Sequence, residues 1–223
     1  MAVCPFAIQM AITGTVGPYK GGPYKIVHHT TEGTTAAGAF ATYREKRSDP
    51  HFTVDASNIW QHIDTGVAAR SLRNDAPPPE TNRDSAVQIE VVGFAHLPKG
   101  EPTLRNVARL CRWIEATHRI PRTWPSGHPL PAKNGVDPGG HNRDARSWDE
   151  NGGHFGHCHV PENTHWDPGY TAAEVEFIMN TNFGILGSLR QFQRKMFGAA
   201  VLPESNLDSA VSTMPDHGLT SGD

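Results

Sequence analysis

The stretch YKIVHHT, Tyr24–Thr30, is a short apolar run built on Ile26 and Val27, with Gly21, Gly22 and Pro23 just upstream. β-Branched residues bounded by turn formers predict a strand. Two histidines lie near its end. Neighbouring side chains on a strand point to opposite faces, so His28 shares a face with Ile26 and Thr30 while His29 takes the other. Both rings can hardly reach one point. Periodicity alone does not choose between a ligand and a buried structural histidine.

Working outward, TAAGAFATYREKR (Thr35–Arg47) carries Ala36, Ala39, Phe40 and Tyr43 at helical spacing. HFTVDA (His51–Ala56) and IWQHID (Ile59–Asp64) predict a hairpin turning at Ser57-Asn58. NDAPPPETNRD is a loop, because three consecutive prolines exclude regular structure. AVQIEVVGF (Ala86–Phe94) is the strongest strand signal. Thr103 is the expected cap of a helix over Leu104–His118, with Leu104, Val107, Ala108, Cys111 and Ile114 on one face. Residues 121–153 are rich in Pro, Gly and Asn, and a loop of that length is usually functional. A further helix starts after Pro168-Gly169, with Thr171 as its N-cap.

Mixed strands and helices, with few clean βαβ units, predict an α/β fold: one domain with a mixed central β-sheet flanked by helices. The expected boundaries are an N-terminal extension over 1–23 with at most one short strand around Phe6–Ile12, and a domain over 24–183. A helical extension over 184–202, with a short helix at Leu186–Phe197, and a disordered tail over 203–223 are expected to follow.

A chain of 223 residues with 37% apolar and 19% charged residues suits an ordinary globular domain. Its net charge of -3 creates no basic field for nucleic acid or anionic lipid. The beginning lacks the marks of a signal peptide, and no run predicts membrane insertion. Synthesis in the cytoplasm is therefore expected, with action there or, after release or translocation, elsewhere. Nothing here reads out the oligomeric state. Three cysteines, Cys4, Cys111 and Cys158, are too few and too odd for a disulfide framework. Thirteen histidines against twenty Lys and Arg favour metal or proton chemistry.

The donors concentrate in GHFGHCHVPENTHWDPG, Gly153–Gly169, with four histidines, one cysteine and two acids. A catalytic zinc needs three protein ligands and one open position. Together, KIVHHTTEG and GHCHVPENTHWDPG resemble the zinc-dependent N-acetylmuramoyl-L-alanine amidase superfamily, which includes the peptidoglycan recognition proteins. The resemblance spans Tyr24 to Phe183. It implies one catalytic Zn2+ on three ligands. These are the histidine of strand-His-x-Thr, here His28 with Thr30; the histidine of Gly156-His157; and Asp167 in Asp-Pro-Gly. It leaves His154, Cys158 and His159 without a ligand role. Cys158 is a soft donor, but it would point away from His157 in an extended segment.

The resemblance also implies a glutamate base on a central strand, which is Glu90. Gln88, Glu90 and Val92 share a face, and burial there would raise the Glu90 pKa, which suits a base near neutral pH. Where other members carry a tyrosine before the next strand, this chain has Pro50, and His51 is then structural. Two residues before Asp167, where lysine is common, stands His165; it can donate a hydrogen bond to the oxyanion. The implied substrate is peptidoglycan or a muropeptide. The implied reaction is hydrolysis of the amide between the lactyl group of N-acetylmuramic acid and L-alanine, with zinc polarising the carbonyl and activating water. The loop 121–153 and residues 65–84 are expected to rim the cleft. Trp124 and Trp148 either pack on substrate or anchor the loop. Two other readings stand beside this one: a non-catalytic peptidoglycan-binding module, and a structural zinc on His154, His157, Cys158 and His159. The biological setting stays open between phage endolysin, antibacterial effector and recycling enzyme.

Overall fold

Burial on both faces makes the central strands. Lys25–Thr30 (β2) and Ala86–Val91 (β5) are buried along their whole length and pair in parallel, Lys25 opposite Ala86 through Thr30 opposite Val91. β2 also pairs in parallel with Gly153–Gly156 (β6). The expected hairpin forms as Phe52–Val54 (β3) and Ile59–Gln61 (β4), and β3 lies parallel to β5. The Asp55 carboxylate closes its turn by accepting from the Ser57 and Asn58 N–H groups. Ile8–Gln9 (β1) completes a six-stranded mixed sheet in the order β1-β4-β3-β5-β2-β6. This computed structural model describes residues 2–72, 81–161 and 163–183. The prolines at 77–79, and the stretches 184–202 and 203–223 with the helix expected at Leu186–Phe197, lie outside the described residues.

The segment before Tyr24 is stitched into the domain rather than set apart from it. β1 pairs with β4, Cys4 and Ala7 are buried in the main core, and the Cys4 N–H donates to the Gln61 side chain. The compact unit runs to Asn182.

Helices cover both faces. Glu101–His118 (α2) and Ala172–Asn180 (α4) pack with Ile26, Phe52, Val54, Val87, Ile89 and Val91. Each fully buried Val, Leu or Ile contributes about 1.5–3 kcal/mol. α2 begins before the expected cap: Gly100 is the N-cap, Pro102 sits in the first turn, and Thr103 lies inside the helix. Proline is well suited there because the first N–H groups have no intrahelical partner. α4 is capped as expected, with Thr171 and Glu174 bonding reciprocally. On the opposite face lies Ala36–Lys46 (α1), whose Phe40 packs on Trp60 of β4. Beside it, Val27, Leu72, Trp148, Phe155 and Val160 form a smaller core. A short helix at Ala145–Glu150 (α3), capped by Asp144, breaks the long loop that the sequence predicts as irregular. Among the described residues, no helix is long and apolar enough to cross a membrane.

After Asp167-Pro168 the chain turns sharply at Gly169, where φ is +58°. A Cβ there would run into the Ala95 carbonyl. Gly169→Ala is therefore expected to cost about 1–3 kcal/mol, because the obstacle is backbone and cannot swing aside. A thermal melt equal to that of the parent would refute this.

Candidate active site

The register of the sheet decides which side chains meet. Trp60, Thr53, Glu90 and His29 form one row across β4, β3, β5 and β2, so their side chains share a face. Phe52, Ile89 and His28 form the next row and point the other way, toward α2 and α4. His29 and Glu90 sit near the carboxyl ends of parallel strands, and His157 follows the end of β6. This is where open α/β sheets place their sites.

Three donors converge there. His29 Nδ1 lies 3.0 Å from His157 Nδ1 and 3.9 Å from Asp167 Oδ2, while His157 Nδ1 lies 3.2 Å from Asp167 Oδ1. All three residues are buried, at 1%, 5% and 6% exposure. The expected partnership of His157 with Asp167 is present in space, but the third member is His29, not His28. His28 lies behind the sheet with His154 and Cys111. The strand-His-x-Thr spacing fits both histidines, since His29 is followed by Thr30 and Thr31. Only the shared face with Glu90 separates them.

Local structure fixes each donor. His157 opens a short 3-10 turn, His157–His159, rather than continuing an extended strand. In that turn Cys158 is fully buried, and its N–H donates to the Asp167 carbonyl at 2.9 Å. The Asp167 carboxylate is held from the other side by the Thr30 N–H at 3.0 Å. Burial pushes this carboxyl up, but His157, His29 and the Thr30 N–H outweigh it and hold it well below the usual carboxylate range. Burial, reinforced by His157, pushes His29 well below the usual histidine range, so the ring is neutral.

Glu90 faces the same space, 8% exposed. Burial, then the charges of Asp167 and Glu32, raise its pKa well above the ordinary value. Among the described residues its Oε2 is buried without a hydrogen-bond partner, as are His29 Nε2 and His157 Nε2. Orphaned polar atoms gathered in one place mark a site rather than a core. His165 is the open side of this group: its side chain is 65% exposed and stacks on His157 at 4.4 Å between ring centres. Its Nδ1 lies 3.8 Å from Asp167 Oδ1.

The remaining candidates serve the scaffold. His51 accepts from the Gln88 N–H and meets the Val67 carbonyl. His159 accepts from the Gly156 N–H. Trp148 is fully buried and donates to Asp84, and Trp124 is buried against the rings of His28 and His154, so both tryptophans anchor their loop. His154 is fully buried behind the sheet with His28.

The family description N-acetylmuramoyl-L-alanine amidase matches residues 20–170. Among solved structures, the hydrolase AmiA of Staphylococcus aureus, in complex with its ligand, is 13% identical with a TM-score of 0.55, over 89% of this chain and 88% of that one. The endolysin N-acetylmuramoyl-L-alanine amidase LysCS from Clostridium intestinale is 13% identical with a TM-score of 0.50, over 82% of this chain and 100% of its own. An AmpD derivative is likewise 13% identical with a TM-score of 0.50, over 79% of this chain and 96% of its own. At such identities the likeness speaks to the fold, which is shared. No curated protein matches the chain. The matched span carries β2, β5, β6, the three converging donors and Glu90, and the chain belongs to the N-acetylmuramoyl-L-alanine amidase family.

Proposed function

We propose that this chain is a zinc-dependent hydrolase of the amide between N-acetylmuramic acid and L-alanine in peptidoglycan or muropeptides, with His29, His157 and Asp167 as metal ligands. The observation that carries this reading is the convergence of two imidazole nitrogens and a carboxylate: His29 Nδ1 and His157 Nδ1 are 3.0 Å apart, and they lie 3.9 Å from Asp167 Oδ2 and 3.2 Å from Asp167 Oδ1 respectively. A proton on His157 Nδ1 can serve Asp167, but it leaves His29 Nδ1 facing an N–H that is already engaged. A cation among the three satisfies them all. The 3.0 and 3.2 Å spacings lie near the edge of a tetrahedron with zinc–ligand bonds of 2.0–2.1 Å, about 3.3 Å. Two imidazoles and a carboxylate are a hydrolytic zinc donor set, and three ligands leave one position open.

When bound, zinc supplies Lewis acidity to the scissile carbonyl and to the attacking water. Glu90 does the proton work: its buried, unpaired Oε2 accepts the proton of the attacking water and delivers it to the departing L-alanine amine. Asp167, ionised and braced by the Thr30 N–H, holds its place without competing for that proton. His165, at the exposed edge and stacked on His157, donates a hydrogen bond to the developing oxyanion.

Incubation with a chelator is expected to abolish release of free L-alanine amino groups from a muropeptide, and added Zn2+ to restore it. Turnover that survives metal removal would reject the reading. The base must be ionised, so the rate rises with pH through its pKa. Because Glu90 is raised, the acid limb of kcat/KM is expected above the ordinary glutamate range near 4.3.

A further inference from the structure

Behind the sheet, on the face away from His29, lies a second line of buried polar groups. Tyr170 Oη is 3.3 Å from His28 Nδ1, His28 Nε2 is 2.9 Å from His154 Nδ1, and His154 Nε2 is 3.0 Å from Glu115 Oε1. Glu115 also meets Arg112 at 2.7 Å and Arg122 at 3.0 Å. Tyr170, His28 and His154 are each fully buried.

The carboxylate sets the direction of the whole line. Burial pushes the Glu115 carboxyl up, but the His154 N–H and the two guanidinium groups outweigh it, so it is ionised. It can only accept, so His154 donates through Nε2 and its Nδ1 must accept. His28 therefore donates through Nε2, and its Nδ1 accepts the Tyr170 hydroxyl proton. One arrangement of protons satisfies every member. Cys111 also stands near, and donor atoms of His28, Cys111 and His154 lie within 4.8 Å of one another. Here, however, every imidazole nitrogen already has a hydrogen-bond partner, whereas on the front face the Nε2 atoms of His29 and His157 have none among the described residues. The rear group is a closed hydrogen-bonded line rather than a metal site.

Three of its four members come from the segments that carry the front donors, and Glu115 comes from α2. His28 precedes His29 on β2, His154 on β6 stands three residues before His157, and Tyr170 follows Asp167 by three. We infer that the Tyr170–His28–His154–Glu115 line is a positioning device, clamping the three donor-bearing segments to one another and to α2 so that His29, His157 and Asp167 converge. This rests on the zinc reading above. A directional line with a charge-assisted end tolerates little displacement, and supporting groups of this kind commonly govern metal affinity.

The test uses the full chain with Co2+ as a spectroscopic probe, comparing Tyr170→Phe, Glu115→Gln, His154→Leu and His154→Gln with the parent. The parent is expected to bind one Co2+. Tyr170→Phe, Glu115→Gln and His154→Leu are expected to bind it about tenfold or more weakly with altered visible bands. His154→Gln keeps an amide donor and acceptor and is expected to recover part of the affinity. Circular dichroism selects the variants that fold, and Tyr170→Phe removes only one hydroxyl. Folded variants with parental Co2+ affinity and spectrum, but a lower melting temperature, would make the line merely structural and overturn the inference. Two Co2+ per parent chain, with the second lost in His154→Leu, would also overturn it by making the rear group a metal site. A parent that binds no Co2+ would overturn the zinc reading and this inference with it.

Discussion

His29→Ala is expected to leave the folded protein without stoichiometric zinc and to lower muropeptide turnover by on the order of 10³-fold or more, since residues acting as one unit fail together. The cause is geometric. His29 Nδ1 is the donor that closes the triangle with His157 and Asp167, and only two donors remain without it. His28→Ala should behave differently. Its ring lies behind the sheet, so one zinc per chain should still bind, with affinity weakened by about 10–100-fold, as when an outer support is lost. Zinc counted by atomic absorption in the two purified variants decides between them. Zinc kept in His29→Ala and lost in His28→Ala would reverse the assignment.

Glu90→Gln separates the proton work from metal binding. The amide is close in size to the carboxyl and sits at the same place in β5, so the fold and the zinc content should be retained. Turnover should fall by about 10²–10⁴-fold, the range for losing a general base. The acid limb of the pH profile should vanish with it, because the titrating group is gone. A Glu90→Gln variant with a near-parental rate and an unchanged acid limb would show that another group takes the proton.

These contrasts also show how far the amino-acid order reaches. The alternation of Gln88, Glu90 and Val92 on one face is a property of any strand, and it held. The cap at Thr171 and the turn at Ser57-Asn58 are equally local, resting on side chains that bond to backbone a few residues away. The opposed faces of His28 and His29 were legible for the same reason. Which face is the site was not. A strand exposed on one side announces its core face by alternating apolar and polar residues, but β2 is buried on both, so its pattern carries no such mark.

Long-range pairing decided the rest. Gly153–Gly156 has little strand propensity of its own and becomes β6 by bonding to β2. The short strand expected around Phe6–Ile12 forms as β1, but its place beside β4 is set only by the pairing itself. His154, dispensable in a linear motif, gains its partners only when β6 joins β2 beside His28 and α2 brings Glu115 beneath the sheet. By itself, the sequence determined the kind of fold, the donor types and the segments that hold them, since these follow from local spacing and side-chain chemistry. Only the tertiary structure chose His29 over His28, because that choice depends on strand register and on which face the helices α2 and α4 cover.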